Sequence, residues 1–202
     1  MGWSFPPPTE GMSALALLGL ADGFDLAALE EADYIHVLVE AIKLAFADRD
    51  RHLTDPAAMT VMPTELLAPE RLARLRGRIG RRRAMAPEAA AAPGGGTLPI
   101  LTADGAGNAV SVIQSLYYTF GSGLMAGDTG TVLQNRGAFF SLDPRHVNAL
   151  APRKHTMHTL IPSMYLEGGR PRMVYGTMGG EGQPQTQAAL LTRRLRRGHD
   201  TQ

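Results

Sequence analysis

The sequence predicts an α+β chain in which helices come first and strands second. Three observations carry that expectation. Apolar residues recur at helical spacing in a helix from about Leu26 or Asp33 to Arg49. A low-complexity run of Ala, Pro and Gly follows at 84–96. From Thr97 onward, short apolar runs alternate with Gly-rich turns. The expected organisation is a helical part over 1–83, a linker over 84–96 that leaves a cleavage point exposed, and a β-rich part over 97–202.

Pro6-Pro7-Pro8 make an extended lead-in, Thr9 is placed to cap a short helix through Ser13–Leu18, and Gly23 helps to end it. In the strongest helix, Ile35, Leu38, Val39, Ile42, Ala45 and Phe46 form one apolar face. His36, Glu40 and Lys43 share the other. His36 and Glu40 lie one turn apart, but no third ligand is spaced to join them, so a solvated face is expected rather than a metal or acid/base pair. Asp48-Arg49-Asp50-Arg51 is a dense charge cluster at the helix end, and Asp55-Pro56 starts a turn. Pro63 and Pro69 frame a further helix, with Leu72, Leu75 and Ile79 on one side and Arg71, Arg74, Arg76 and Arg78 around it. Arg81-Arg82-Arg83 extends the run. It is read as a solvated, Arg-rich helix and not as a nucleic-acid site, because neither interleaved aromatics nor a recognisable binding module accompanies it.

In the second half, Leu98–Thr102 and Ala109–Gln114 flank a Gly-rich turn and read as a hairpin. Met173–Thr177 is a third strand candidate, leading to Gly179-Gly180. Helical spacing returns over Gln185–Leu195, and Arg193–His199 reads as a frayed or non-native end.

Composition bounds the chemistry. The 202 residues, 44% apolar and 19% charged, are ordinary for a globular chain. With 20 basic and 19 acidic residues, there is no general pull toward nucleic acid or an anionic membrane. Cysteine is absent, which excludes disulfides and thiol catalysis. Residues 1–6 have neither the basic nor the apolar region of a signal peptide, so a cytoplasmic location is the default expectation. The longest apolar patch, Ala14–Ala21, is too short to span a bilayer.

The candidate for chemistry is Gly94-Gly95-Gly96-Thr97, three glycines before one hydroxyl residue at a strand start. A linker entering a strand has the same local pattern. If instead the bond between Gly96 and Thr97 is cut, Thr97 gains a free α-amino group beside its own hydroxyl. An amine with a pKa near ~8 can then accept the hydroxyl proton at neutral pH.

Downstream, Asp104-Gly105-Ala106-Gly107-Asn108-Ala109-Val110-Ser111 is followed by Phe120-Gly121-Ser122-Gly123, Thr129-Gly130, Gln134-Asn135, Pro152-Arg153-Lys154 and Met178-Gly179-Gly180. That series resembles the small subunit of gamma-glutamyltranspeptidases, the glutathione hydrolases. Pro6-Pro7-Pro8-Thr9-Glu10-Gly11 and the segment His36–Arg49 resemble the end of that family's large subunit. The resemblance implies an N-terminal nucleophile hydrolase αββα sandwich, here incomplete, that is marginal alone or dependent on a partner. It implies that the large and small pieces stay paired after cleavage, with a small γ-glutamyl or related acyl amide as substrate and with no cofactor or metal. Counting back from Asn108 puts Thr97 at the family's catalytic Thr, and Gly179 and Gly180 match its oxyanion pair. Ser115 falls where the family has a hydroxyl residue bonded to the nucleophile's amine. The Asp48-Arg49 pair, followed by Asp55-Pro56, matches a recurring feature read as an internal ion-pair lock, with a solvated charge run as the alternative.

Substrate recognition departs from the pattern. Where the family holds an α-ammonium with an amide and a carboxylate, this chain has Gln134-Asn135-Arg136-Gly137-Ala138-Phe139. The family's Ser-Ser pair appears as His158-Thr159. Asn135, Arg136, His158 and Thr159 are therefore the substrate-binding candidates. Their differences leave room for another acyl group, as in the related cephalosporin acylases, or for a catalytically silent module. Leu98-Pro99 follows the nucleophile; because Pro99 lacks an N–H, the strand it sits in is expected at an edge or bulge. Thr102 is a weaker alternative nucleophile.

Overall fold

The computed structural model describes residues 1–86 and 96–200; residues 87–95 of the expected linker, including Gly94 and Gly95, lie outside the described residues. Chain order runs β1 (Gly2–Ser4), α1 (Gly11–Ala21), α2 (Glu31–His52), α3 (Pro63–Leu66), α4 (Pro69–Arg76), β2 (Thr97–Ala103), β3 (Ala109–Ser115), β4 (Ser163–Glu167), β5 (Arg170–Tyr175) and α5 (Gln183–Arg196). Short 3₁₀ turns lie at Pro56–Ala58, Gly127–Thr129, Arg136–Phe139 and Gly180–Gly182.

Helix α1 is apolar all round because it is surrounded: it packs against α2, α4, α5 and β1. Leu17 and Leu20 meet Ala41, Leu44 and Ala45 of α2 and Ala188 of α5 in the main core. At its start the N-cap is Glu10, not the expected Thr9, whose hydroxyl accepts from the Gly11 N–H at 3.1 Å one position further out. Gly11 is required there, since a Cβ would lie 2.3 Å from Ser4 Oγ and 2.8 Å from the Phe5 carbonyl. Gly23 has a different role from the one expected: the helix closes at Asp22, whose N–H reaches the Leu18 carbonyl, and Gly23 makes room for the Arg76 guanidinium.

Helix α2 differs from its expected orientation. Ile35 and Val39 are exposed, whereas Tyr34, Val37, Glu40, Ala41 and Leu44 are buried. The helix is covered from more than one direction, by α1 and α5 and by the segment 79–85, so a single apolar stripe does not describe it. The face carrying His36, Glu40 and Lys43 is accordingly only partly solvated, with Glu40 buried. Glu40 accepts from Lys43 Nζ at 2.6 Å and from the Met85 N–H at 2.7 Å, and His36 Nε2 bonds the Gly80 carbonyl at 2.7 Å. Among the described residues, no three His, Asp or Glu side chains gather in a way that could hold a metal.

The arginines of 71–83 are likewise only partly solvated. Arg71 grips both carboxylate oxygens of Asp48 at 2.5 and 2.7 Å, and Arg76 donates to the Gly19 and Leu20 carbonyls. The C-terminal run is also anchored rather than frayed. Arg193 pairs with Glu31, while Arg197 donates to the Leu26 and Leu29 carbonyls, and both guanidinium groups lie over the Tyr34 ring.

Strands β1, β4 and β5 form an antiparallel sheet in the order β1-β4-β5, with Trp3 opposite Met164 and Met164 opposite Val174. Gly168 and Gly169 make its tight turn, both at positive φ as a two-residue hairpin loop demands. Strands β1 and β4 were not foreseen, because β1 is only three residues long and neither has a clean alternation. The expected third strand is β5, shifted a few residues earlier. The hairpin β2–β3 runs in unbroken register from Thr97 opposite Ser115 to Ala103 opposite Ala109, and forms a two-stranded sheet of its own. Pro99 is tolerated because β2 pairs along one edge only among the described residues. Leu98, Ile100, Leu101, Val110 and Val112 of this ribbon are exposed. No described helix is long and apolar enough to cross a membrane.

Arg49 joins the two halves of the chain. It is buried, donates to Glu10 at 3.1 Å, Asp50 at 2.7 Å and Glu181 at 3.0 Å, and lies 4.0 Å above the Phe46 ring. The charge cluster at the end of α2 is therefore an internal lock, as is the Asp48–Arg71 pair. Arg49→Met keeps the length and removes the charge, leaving buried carboxylates without their cation. A loss of about 3–5 kcal/mol in urea unfolding is expected, and a midpoint equal to wild type would show that the lock does not hold the halves together.

Candidate active site

Thr97 opens β2 at 7% exposure, and its hydroxyl donates to Ser115 Oγ at 3.0 Å. The pairing is dictated by the hairpin, which sets residues 97 and 115 opposite each other. Ser115 Oγ is held in turn by the Tyr117 N–H at 2.9 Å. In the uncut chain Ser115 thus contacts the Thr97 hydroxyl; the expectation at the sequence level concerns the amine that cleavage would create. Gly96 sits at φ +67, a left-handed conformation that suits glycine. Thr102, the alternative nucleophile, is exposed at the far end of the strand.

The segment that leads into the Gly179–Gly180 turn crosses the same hairpin. Strand β5 exits across it, where Ser111 Oγ donates to the Tyr175 carbonyl at 3.2 Å. Gly176 abuts Pro99 so closely that a Cβ would lie 2.8 Å from the proline's own. Three residues on, Gly179 takes φ +114 and Gly180 φ +54, and the chain then winds through the 3₁₀ turn directly into α5. Two glycine N–H groups therefore precede a helix N-terminus, where the backbone dipoles favour negative charge.

The remaining candidates form a second cluster, joined to the first through Tyr117. Its backbone N–H holds Ser115, while its ring stacks 4.6 Å from Tyr118 and 4.8 Å from Phe139 and lies 5.5 Å beneath the Arg136 guanidinium. Arg136 is buried and donates from Nη1 to Thr159 Oγ1 at 3.0 Å. The Thr159 carbonyl accepts from Gln183 Nε2 at 2.6 Å, which ties this cluster to the start of α5. His158 is half-buried, and burial together with the nearby positive Arg136 pushes its imidazole down to about 4, so it is neutral at pH 7. The side-chain oxygen of Asn135 accepts from the Tyr118 N–H at 3.0 Å, which leaves its NH2 as the donor end.

Several participants were missed in the sequence. Tyr117 holds φ +76, a strained position for a non-glycine residue that no local pattern announces. Glu10, Glu181 and Gln183 come from distant segments. Glu10 is fully buried, and desolvation pushes its carboxyl up to about 8 in spite of Arg49. The only available signal was the placement of acidic residues beside glycines, at Glu10-Gly11 and Gly180-Glu181-Gly182.

Against this geometry the comparisons are specific. The gamma-glutamyltranspeptidase family model matches residues 3–202. The chain belongs to the gamma-glutamyltranspeptidase family. Among its relatives, the glutathione hydrolase-like YwrD proenzyme of Bacillus subtilis is 50% identical over 194 residues, covering 94% of this chain and 36% of the relative. The oxamate amidohydrolase proenzyme of Klebsiella pneumoniae is 49% identical over 203 residues, covering 97% of this chain and 37% of the relative. The crystal structure of a cephalosporin acylase from Bacillus halodurans superposes with a TM-score of 0.87 at 37% identity, covering 100% of this chain and 37% of that one. The gamma-glutamyltranspeptidase-family chain thus spans just over a third of the length of these relatives. Its α+β fold is of the N-terminal nucleophile hydrolase class, and members of the family are hydrolases and transferases of that type.

The raised Glu10 carboxyl makes a signed prediction. The folded chain keeps a proton on Glu10 between its ordinary pKa of 4.5 and about 8, whereas the unfolded chain has released it. Stability therefore falls as pH rises through that window. From pH 7 to 8.5, past the midpoint of an unfolded histidine, wild type should lose about 1 kcal/mol in urea unfolding. Glu10→Gln should flatten the decline. An unchanged slope in the variant would assign the loss to another group.

Proposed function

We propose that this chain carries the nucleophile-bearing part of a self-processing amide hydrolase and acyltransferase. Its bond between Gly96 and Thr97 is cleaved, and Thr97 then serves as an N-terminal nucleophile. The observation that carries this reading is the Thr97 hydroxyl, buried at a strand start behind a left-handed glycine and engaged by Ser115 Oγ at 3.0 Å. The proenzyme names of the relatives support it.

In the reaction the freed Thr97 amine takes the hydroxyl proton as Oγ attacks the carbonyl of an acyl amide. The resulting oxyanion is stabilised by the N–H groups of Gly179 and Gly180. Collapse breaks the C–N bond, the amine leaves with the proton, and an ester to Thr97 remains. Water or an acceptor amine then releases the acyl group. Ser115 holds the nucleophile in position. Glutathione is one candidate donor; the names of the relatives also support oxamate-like and cephalosporin-linked amides. After cleavage, residues 1–96 and 97–202 stay associated, held by contacts such as Arg49 with Glu181 and Tyr34 with Thr192.

A second reading is a catalytically silent interaction module, favoured by the exposed Leu98, Ile100, Leu101, Val110 and Val112 on the hairpin that carries Thr97. Intact mass after prolonged incubation at neutral pH separates the two. The first reading expects fragments 1–96 and 97–202, abolished in Thr97→Ala and slowed about tenfold in Ser115→Ala, the effect of losing one hydrogen bond of ~1–1.5 kcal/mol. A chain that stays at full mass, or a Thr97→Ala variant that cleaves like wild type, removes the nucleophile assignment and favours the silent module.

A further inference from the structure

We infer that Arg136 is a carboxylate reader, and that the acyl group taken by this site carries its own carboxylate, as in the amides of dicarboxylic half-acids. The inference rests on the proposed amide-cleaving function and names its substrate class. Arg136 is 7% exposed, yet its Nη2 has no hydrogen-bond partner among the described residues. A buried guanidinium has five N–H donors in a planar fork, and leaving one end unsatisfied costs about 1–3 kcal/mol or more. Nη1 is spent on the neutral hydroxyl of Thr159, and the ring of Tyr117 supports the flat face.

No carboxylate among the described residues forms an ion pair with this cation. Glu181 is engaged by Arg49 at 3.0 Å. Glu10 is the acidic group whose charge reaches Arg136, and its carboxyl is itself pushed up to about 8, which leaves it mainly neutral at pH 7. His158, beside Arg136, is also neutral there. The cluster therefore holds an uncompensated positive charge, with an open pair of donors, one residue away from the group that positions Thr97: Tyr117 touches both Ser115 and Arg136. An acyl carboxylate supplies the missing acceptors in the bidentate geometry that a guanidinium favours. An ammonium group in the same place meets like charge and finds no acceptor on Arg136.

The length preference of the reader follows from the span between Arg136 and Thr97, so half-acids of different length are the appropriate probes.

Isothermal titration of the full chain with oxalate, succinate and glutarate tests the assignment without requiring turnover. The neutral diamide glutaramide and glutamate, which adds an ammonium, are the controls. At least one dicarboxylate should bind, with glutaramide and glutamate each weaker by tenfold or more than glutarate if glutarate is the matching length. Arg136→Gln should abolish the difference between charged and neutral ligands, and Arg136→Lys should restore only part of it. Equal binding of dicarboxylates and glutaramide overturns the assignment, as does unchanged affinity in Arg136→Gln. Absence of any dicarboxylate binding also overturns it, with Nη2 then served by a trapped water only. Should Arg136→Gln fail to fold by circular dichroism, the charged-against-neutral comparison on wild type still decides. Mass spectra of the same samples keep the two readings apart. Dicarboxylate binding in an uncut chain sustains the reader and removes the nucleophile, whereas cleavage without binding does the reverse.

Discussion

The structure depends on a buried cation. Arg49 leaves helix α2 and is met by Glu10 from the segment before α1, by Asp50 beside it and by Glu181 from the turn before α5. Each of those carboxylates sits where the backbone does something particular: Glu10 at the start of α1, Glu181 within the turn that follows Gly179. A buried ion pair gains little net stability over apolar packing, but it penalises strongly any arrangement in which one partner is absent. Arg49 therefore acts mainly on specificity of assembly. It makes the position of the Gly179–Gly180 turn conditional on the helical half of the chain.

The same logic extends to the second buried guanidinium. Arg49 has the carboxylates of Asp50 and Glu181 and the mainly protonated Glu10, whereas Arg136 has a threonine hydroxyl and an aromatic face. Two cations of one residue type, both near Glu10, are thus treated in opposite ways. One is saturated and structural, and the other is left with capacity. The hairpin β2–β3 shows a comparable division. Its Thr97 end is buried and hydrogen-bonded, while much of its apolar surface stays exposed.

Legibility in the sequence followed the range of the interactions. Hairpin β2–β3, helix α5 and helix α4 follow from neighbours within a few positions and lie close to where the spacing predicts them, whereas the one helix expected from Pro63 to Ile79 is divided into α3 and α4. The faces of α2 do not. Ile35 and Val39 satisfy a helical period and are exposed, whereas Glu40 interrupts it and is buried. Glu40 is inside because residues 79–85, some forty positions later, fold back and supply the Met85 N–H, with Lys43 as its counter-charge. Periodicity reports that a face is apolar, not which partner will cover a polar one. Likewise the arginines of 193–197 have the composition of a loose tail, and only the aromatic face of Tyr34 and the carbonyls of Leu26 and Leu29 make them an anchor.

By itself the sequence determined the family, the position of the candidate nucleophile and the glycine that precedes it, because these depend on local backbone chemistry: a hydroxyl after flexible residues. The tertiary structure alone decided which charges are spent and which remain open. Burial, desolvation and the distance to a counter-charge are properties of segments brought together from residues 10, 49, 117, 136, 159 and 181, and no window of neighbouring residues contains them.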